Sequence, residues 1–390
     1  MKQKILLMVI LSQSLFCRWL WAADNPPSLA IRAGKIWTVT NGVITDGVII
    51  IKNGKIDAVG KDPRIPRTVK TLEMPDKHVI PGLIDAHCHL GLSLDIFGEI
   101  EETVSAITPD MQILDAFNPL AEDVKKALRS GITTVLLAPG YKNPIAGQTA
   151  IVKLYGAKTD DWVLKRNAGI KFSLGNEVLM SDRRPTSRSG LMALIREELN
   201  KGKDYGENKL DPCGEILKRV VEGELPVYLY CNTVDEIVAA IRIIDEYELN
   251  AMLVGTREGD EVANMIAERN IPVIYMPCLL LSKDKDLKRV GKIAGAGVKV
   301  AFASFAPRTN LSDLRTSAII AAKYGFSPEL ALKSLTINTA EILGIAQRLG
   351  SIEKGKDADL VILNGDPLEL TSRVEMVIIN GNIVYQGEEK

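Results

Sequence analysis

The sequence predicts an α/β protein in which a TIM-like (β/α)8 barrel is combined with a composite β-sandwich domain formed from the N- and C-terminal segments. Short β-branched runs separated by Asn-Gly turns occur near both ends of the chain, and Asn-Gly between apolar runs is a strong hairpin signal. Between the two ends, strand-like runs alternate with helical patterns. This alternation is typical of βα units, which place parallel strands inside and helices outside.

The composition is that of an ordinary globular protein. The chain has 390 residues, of which 46% are hydrophobic and 25% are charged, and its formal net charge is -1. This length suits one large α/β domain or two smaller ones. Because the charge is near zero and no long Lys/Arg run occurs, we expect no nucleic-acid partner.

Residues 1–23 are predicted to be a signal peptide. A basic start, an apolar run from Ile5 to Phe16 and the small pair Ala22-Ala23 are typical of such a segment. The alternative is a membrane anchor, but Arg18 interrupts the run before it reaches the roughly 20 residues that a spanning helix needs. We therefore expect an exported protein, periplasmic or secreted, without a stable membrane span. Lipidation of Cys17 is left open.

Residues 24–78 and 347–390 are assigned to the composite β domain. The strand-like runs of the first segment are Ile36 to Thr40, Val48 to Ile51 and Lys55 to Val59. Those of the second segment are Asp359 to Leu363, Val377 to Ile379 and Ile383 to Tyr385. Because the unpaired edge strand of one sheet can pair with that of another, we expect both ends of the chain to build one domain, with the middle of the chain inserted between them.

Residues 79–346 are assigned to the barrel. Its strand-like runs include Ile132 to Ala138, Ile151 to Tyr155, Ile170 to Ser173, Val227 to Cys231, Ala251 to Val254, Pro272 to Met276 and Val298 to Ala303. Its helical patterns include Ala121 to Arg129, Gly190 to Leu199, Asp235 to Tyr247, Glu261 to Glu268, Asp286 to Ala294 and Leu311 to Lys323. The polar stretches from Lys158 to Ala168 and from Asp182 to Arg188 are predicted to be loops at the rim of a pocket.

Two charged runs lie in predicted loops. Glu99, Glu101 and Glu102 follow the first barrel strand, and we interpret them as a solvated loop. The basic run from Arg183 to Arg188 is either a grip for an anionic ligand or an exposed mobile loop.

Cys88, Cys231 and Cys278 lie in apolar, strand-like runs. An even number of cysteines after residue 23 permits disulfides in an oxidising compartment. We nevertheless expect buried free thiols at these three positions, and no cysteine pair has the spacing of a zinc knuckle.

Two of the three histidines lie at the end of the apolar run that follows Pro81-Gly82. Alternation along a strand puts His87 and His89 on one face, together with Asp85. Neutral imidazoles that converge at a strand end are half of a site for a divalent metal such as zinc or manganese. In the competing interpretation the two rings are hydrogen-bonded in a polar pocket and bind no metal.

Five stretches carry a family resemblance. They are VIPGLIDAHCHLG at 79–91, GITTVLLAPG at 131–140, GQTAIVKLYG at 147–156, AGIKFSLG at 168–175 and SIEKGKDADLVILNGDP at 351–367. With the barrel and the composite domain, they resemble the amidohydrolase superfamily and, within it, the imidazolonepropionase-like branch. The resemblance implies a hydrolase of carbon–nitrogen bonds other than peptide bonds, which uses one or two metal ions.

The resemblance also implies where the metal ligands lie: the strand 1 His pair, a His ending strand 5, a His ending strand 6 and an Asp ending strand 8. In some members a carboxylated Lys on strand 4 is added, and Lys171 matches it. Tyr230 stands at the strand 5 position, and Val254 or Gly255 at the strand 6 position. Phe305 replaces the Asp, which in the family also serves as general base.

Two functions are compatible with this pattern. The first is a catalytically impaired relative, a pseudoenzyme, because Phe305 can neither accept a proton nor hydrogen-bond a hydroxide. It would keep the barrel as a module for a small-molecule ligand or for pairing with a second copy or a complete-site relative. The alternative is an active hydrolase of cyclic amides or related substrates, with one metal on His87 and His89 and a recruited ligand. The pocket candidates are Asp85, Lys171, Glu177, Tyr230 and Asn232.

Overall fold

The computed structural model describes residues 28–92, 100–156, 159–206, 211–279 and 282–387. The predicted signal peptide and Glu99 of the acidic run lie outside the described residues. The described part contains one sheet of seven strands and one of eight. None of its helices has both the length and the apolar character that crossing a membrane requires.

The seven-stranded sheet is built from both ends of the chain. Its strands are β1 (Leu29–Trp37), β2 (Val43–Lys52), β3 (Lys55–Gly60), β4 (Lys70–Pro81), β13 (Leu360–Leu363), β14 (Val374–Ile379) and β15 (Asn382–Gln386), in the order β15-β14-β13-β4-β1-β2-β3. Antiparallel pairing of β4 with β13 joins the N-terminal strands to the C-terminal ones. Ile31, Ile49 and Ile362 belong to one shared core. The composite β domain is therefore confirmed, while the chain division at residues 78 and 347 stays a prediction.

The eight-stranded sheet forms the barrel. Its strands, in spatial order, are β5 (Leu83–Cys88), β6 (Ile132–Leu137), β7 (Ile145–Lys153), β8 (Val163–Ser173), β9 (Val227–Cys231), β10 (Ala251–Gly255), β11 (Val273–Tyr275) and β12 (Val300–Phe302). The chain that follows β12 closes the gap to β5. There the Phe305 N–H donates to His87 O at 3.1 Å, and the His89 N–H donates to Ala306 O at 2.8 Å. The predicted α/β barrel is confirmed.

Helices connect most of the barrel strands. They are α1 (Glu122–Arg129), α2 (Arg188–Lys203), α3 (Pro212–Val221), α4 (Val234–Tyr247), α5 (Ala263–Glu268), α6 (Asp284–Leu287), α7 (Arg289–Gly295), α8 (Asp313–Lys323), α9 (Pro328–Lys333) and α10 (Ile337–Ile342). Local caps explain several starting points. Thr233 and Glu236 form a capping box at α4, and Asp211 accepts from the Cys213 N–H ahead of Pro212 in the first turn of α3.

One barrel strand runs against the others. β7 is antiparallel to both β6 and β8, although the repeated βα pattern indicates parallel strands. The predicted loop from Lys158 to Ala168 is also wrong from Val163 onward, where β8 begins. The reason is the connections: residues 138–144 and 154–162 are too short for the helical crossover that parallel neighbours need. The chain therefore turns back directly.

The three cysteines of the apolar runs behave as expected. Cys88, Cys231 and Cys278 are buried and free. The prediction of buried free thiols at these positions is confirmed.

A buried ion cluster joins the barrel to the composite sheet. Lys153, at the end of β7, donates to Asp357 Oδ2 at 2.9 Å, to Asp359 Oδ1 at 3.0 Å and to Asn380 Oδ1 at 2.6 Å. Arg348 reaches the same oxygen of Asp357 with Nη2 at 2.7 Å. Asp357, Asp359 and Asn380 belong to the C-terminal part of the composite sheet or its approach, so one ammonium group connects the two sheets. No local sequence pattern predicts this cluster.

We expect Asp357 to make the folded state less stable at acidic pH. Burial by itself would raise the pKa of Asp357, but the charge of Lys153 and hydrogen bonds from Lys153, Lys55 and Arg348 outweigh it and lower the pKa from 3.8 to about 2. A carboxyl group with a depressed folded-state pKa stabilises fully above its unfolded value, and this stabilisation is lost as the pH falls through the folded value. The loss between about pH 4 and pH 2 should approach about 2 kcal/mol.

Denaturant unfolding at a series of acidic pH values measures this effect. The Asp357→Asn variant should be less stable than the native protein near neutrality and should lose less stability as the pH is lowered. Equal pH slopes for the two proteins would contradict the assignment to Asp357.

Candidate functional site

The carboxyl ends of the barrel strands bring most of the predicted site residues together. His87 lies in β5, Lys171 in β8 and Tyr230 in β9, and Phe305 follows β12. The rings of His87 and Phe305 stack with centroids 4.8 Å apart, and Lys171 Nζ lies 2.8 Å from His87 Nε2. Residues from four strands therefore meet at one place inside the barrel mouth.

His87 is enclosed completely. The rings of Phe305 and Tyr141 stack on the imidazole, with their centroids 4.8 and 5.7 Å from the centroid of the His87 ring. Burial first, and then the charge of Lys171, keep the pKa of His87 well below its ordinary value. The ring is therefore neutral. Its Nδ1 atom has no hydrogen-bond partner among the described residues.

Both ring nitrogens of His89 are engaged. Nδ1 lies 2.7 Å from Ala138 O, and Nε2 lies 3.0 Å from the Tyr141 hydroxyl. A carbonyl oxygen can only accept, so Nδ1 carries the proton and Nε2 accepts from the hydroxyl. Burial and then the charge of Lys171 lower the pKa of His89 to about 3. The ring is therefore neutral, and both of its nitrogens are hydrogen-bonded within the protein.

Lys171 is fully buried. Besides His87, its Nζ atom contacts Pro139 O at 3.4 Å and lies over the rings of Tyr141 and Tyr230, at 4.2 and 5.4 Å from their centroids. No hydrogen bond to a carboxylate holds it in the described part of the chain. Burial lowers the pKa of Lys171 to about 7, so a large fraction of it is a neutral amine near neutral pH.

Asp85 lies on the same strand face as the histidines, but its carboxylate forms hydrogen bonds within the barrel wall. Its carboxylate accepts from the Ser304 N–H at 2.9 Å, from the Ser304 hydroxyl and from the His87 N–H at 3.2 Å. Burial raises the pKa of Asp85 to about 6, against the effect of the Ser304 hydrogen bonds. The pocket role predicted for Asp85 is therefore replaced by a structural one, which ties β5 to the segment after β12.

The strand 5 and strand 6 positions carry no metal-binding side chain. Val254 pairs in register with Tyr230, and both side chains belong to the cluster inside the barrel, so Val254 is the inward position of strand 6. Gly255 lies beneath Asn232, because a Cβ atom there would be 2.6 Å from Asn232 Oδ1. Asn232 Oδ1 has no partner among the described residues. Glu177 is exposed on the rim.

Tyr141 is the central residue that the sequence analysis missed. Its ring contacts His87, His89 and Tyr230. The acidic run helps to position it, because Glu101 accepts from the backbone N–H groups of Tyr141 and Lys142, each at 2.9 Å. The interpretation of Glu101 as solvated loop is therefore wrong. The one sequence feature that could have indicated Tyr141 is its position directly after the matched stretch at 131–140.

The basic run is also tied down. Arg183 donates to Lys142 O at 2.8 Å and to Asn143 Oδ1 at 2.7 Å, and Arg188 pairs with Asp235. These two arginines brace the rim, so a free mobile loop does not describe them. Arg183 Nη1 has no hydrogen-bond partner among the described residues, and the anion grip stays a prediction.

Arg308 is a second residue that the sequence analysis missed. It follows Phe305 and Pro307 at the mouth of the barrel, is exposed, and its guanidinium carbon lies 4.5 Å from the centroid of the Tyr141 ring. Within the described residues it has no carboxylate partner. It places a positive charge at the entrance to the cluster.

Comparison with known proteins identifies the fold. The model of the amidohydrolase family matches residues 232–384. A solved amidohydrolase from Thermotoga maritima MSB8 is 29% identical, with a TM-score of 0.87, over 92% of this chain and 100% of that chain. The chain belongs to the amidohydrolase superfamily. The predicted family is thereby confirmed.

Curated relatives support the imidazolonepropionase-like branch of the superfamily. The imidazolonepropionase of Kosmotoga olearia is 25% identical over 86% of this chain and 90% of its own length. Amidohydrolase tasK of Hapsidospora irregularis is 22% identical over 94% of this chain, which spans 42% of that protein. The family match and these relatives place the chain among the amidohydrolase-family hydrolases that act on carbon–nitrogen bonds.

The donor set does not fit the metal centre of other amidohydrolases. No group of three or more His, Cys, Asp or Glu side chains converges in the described parts of the chain. Zinc lies about 2.0–2.1 Å from a histidine nitrogen, and the Lys171 amine and the Tyr141 hydroxyl lie close to the two Nε2 atoms on which such an ion would bind. The rings of Phe305 and Tyr230 complete the enclosure without offering a carboxylate or an imidazole.

Proposed function

We propose that this protein is an amidohydrolase relative that has lost metal-dependent hydrolysis and uses the mouth of its barrel to bind a small organic ligand. One observation carries the proposal: Lys171 Nζ lies 2.8 Å from His87 Nε2. The amine is in direct hydrogen-bond contact with the imidazole and therefore occupies the position that a metal ion would need. A carboxylated lysine, in contrast, would hold the ion through the oxygens of its added carboxyl group.

The missing base supports the same conclusion. Hydrolysis at a metal centre requires a group that takes a proton from the attacking water. Phe305 stands where the family places this carboxylate. Asp85 does not replace it, because its carboxylate is already engaged by Ser304 and by the His87 backbone.

Unpaired polar atoms support ligand binding at this place. His87 Nδ1, Ser173 Oγ and Asn232 Oδ1 are buried without a hydrogen-bond partner among the described residues. Ser173 lies two residues after Lys171, and Asn232 two residues after Tyr230, so both follow side chains of the cluster on the same strand face. Buried polar atoms normally have partners. A polar ligand, or water that it displaces, would supply them.

Metal content tests the proposal directly. The dialysed mature protein should hold well below one zinc or manganese ion per chain, and it should not hydrolyse a panel of cyclic amides, lactones and N-acyl amino acids when either metal is added. Elemental analysis of the native protein, His89→Ala and His78→Ala measures this, since His78 lies outside the barrel in β4 and serves as the matched histidine control.

The alternative makes the opposite prediction. A stoichiometric ion that is lost in His89→Ala but kept in His78→Ala, together with hydrolysis that depends on it, would establish an active enzyme with a reduced mononuclear site. That result would overturn the proposed loss of hydrolysis.

Export and assembly are further parts of the proposal. The predicted signal peptide supports a periplasmic or secreted location, which cell fractionation tests. Pairing with a second copy or with a complete-site relative is tested by co-purification from the native host and by the mass of the purified protein in solution.

A further inference from the structure

The Lys171 amine is a reactive group for which loss of hydrolysis leaves no assigned role. It is a primary amine buried among aromatic rings, and its hydrogen bonds go to an imidazole and a carbonyl oxygen. A lysine buried in apolar surroundings and without a carboxylate partner is the kind that reacts as a nucleophile with carbonyl compounds.

We propose that Lys171 forms a Schiff base with a small 2-oxo acid, whose carboxylate is bound by Arg308. This inference rests on the proposed function, because a metal ion on His87 would exclude the free amine. It names the chemical class of the ligand that the barrel mouth takes.

The neighbouring imidazole provides the proton transfers that the reaction needs. The lone pair of Lys171 Nζ attacks the carbonyl carbon, the carbonyl π-bond electrons move to oxygen, and a proton passes from nitrogen to that oxygen to give a carbinolamine. Loss of the hydroxyl group as water then leaves the imine. His87 Nε2, at 2.8 Å from the amine, accepts the proton from nitrogen and returns it to the departing hydroxyl group.

The amine and a guanidinium group that share one aromatic ring limit the length of the ligand. Lys171 Nζ and the Arg308 guanidinium carbon lie 4.2 and 4.5 Å from the centroid of the Tyr141 ring. The two groups cannot lie further apart than the sum of these distances, which limits the length of a ligand joined to the amine by its carbonyl carbon and to the guanidinium group by its carboxylate. A carboxylate directly attached to the carbonyl carbon satisfies this, and the planar guanidinium group binds it with two parallel hydrogen bonds.

We expect the ligand to enter beside Tyr230. This side chain is half-buried, its ring lies 4.4 Å from that of Tyr141 between centroids, and the amine lies beneath both rings. A ligand reaches Lys171 only after these side chains rotate. Shortening Tyr230 should therefore speed the reaction without changing the residue that is modified.

Reductive trapping of the intact full-length protein tests the proposal. Pyruvate and sodium cyanoborohydride should convert the imine to a stable secondary amine, which adds the mass of pyruvic acid less one oxygen atom. Peptide mapping should place this mass on Lys171 faster than on exposed lysines. Lys142→Arg, which changes an exposed lysine next to Tyr141, is the matched control and should keep the labelling. Lys171→Met should abolish it.

Two further variants keep the test decisive if Lys171→Met does not fold. Arg308→Gln should slow trapping of pyruvate roughly tenfold or more and leave trapping of propanal, which lacks a carboxylate, unchanged. Tyr230→Ala should speed both. The proposal is overturned if pyruvate labels surface lysines alone, or if Arg308→Gln slows pyruvate and propanal equally. If the protein holds no metal and pyruvate does not label Lys171, only the Schiff-base inference is wrong. If the protein holds metal and hydrolyses a substrate, the proposed function is wrong as well.

Discussion

Replacement of Lys153 with methionine is expected to lower the free energy of unfolding by about 3–5 kcal/mol. The ammonium group is the central donor to Asp357, Asp359 and Asn380, at 2.6–3.0 Å. Methionine fills a similar volume but removes the charge, so two buried carboxylates lose their main counterion. An uncompensated buried charge costs far more than the net gain that a paired one contributes. Equilibrium denaturation followed by circular dichroism measures the change.

The matched control uses the same carboxylate. Lys55 also pairs with Asp357, at 3.0 Å, but its side chain is 55% exposed, and exposed ion pairs contribute about 0–1 kcal/mol. Lys55→Met should therefore change stability little. A similar loss in both variants would show that the burial of Lys153 is not what makes it important, and would contradict the role assigned to the cluster.

Replacement of Asp85 with alanine is expected to lower the free energy of unfolding by about 3 kcal/mol. The carboxylate holds three donors at the junction between β5 and the segment after β12. Its removal leaves buried N–H groups of His87 and Ser304 without their side-chain partner, at the place where the barrel closes. Thermal and denaturant unfolding measure the loss, and the near-ultraviolet circular dichroism of the aromatic cluster reports whether the barrel mouth loosens.

Two variants bracket this result. Ser304→Ala removes the hydroxyl but keeps the carboxylate and should cost about 1 kcal/mol. Asp57→Ala changes an exposed aspartate of β3 and should stay within about 0.5 kcal/mol of the native protein. If Asp85→Ala proved no more harmful than Asp57→Ala, Asp85 would not be closing the barrel.

Local patterns made much of the fold predictable. The Asn-Gly turns set out the hairpins of the composite sheet, and the alternation of strands and helices predicted the barrel. The antiparallel direction of β7 was not predictable from the same patterns, because the apolar pattern of a strand is the same whether the strand runs parallel or antiparallel to its neighbours. Only the short connections before and after it decide how it runs.

The candidate site divides in the same way. The positions of His87 and His89 could be assigned from a matched stretch. Those of Tyr230 and Phe305 could be assigned from the strand ends at which the resemblance places metal ligands. Tyr141 and Arg308 could not, because they belong to loops whose course depends on contacts such as those of Glu101 with the Tyr141 and Lys142 backbone.

The sequence by itself determined the barrel and the composite sheet, because these follow from local periodicity, and its family resemblance implies that Phe305 stands at the position of the expected aspartate. Only the tertiary structure decided which contacts the two histidines and Lys171 make. It places Lys171 against His87, closes both nitrogens of His89 with hydrogen bonds, and joins Lys153 to aspartates far along the chain. The physical reason is that such contacts depend on distances between strands, which no local pattern contains.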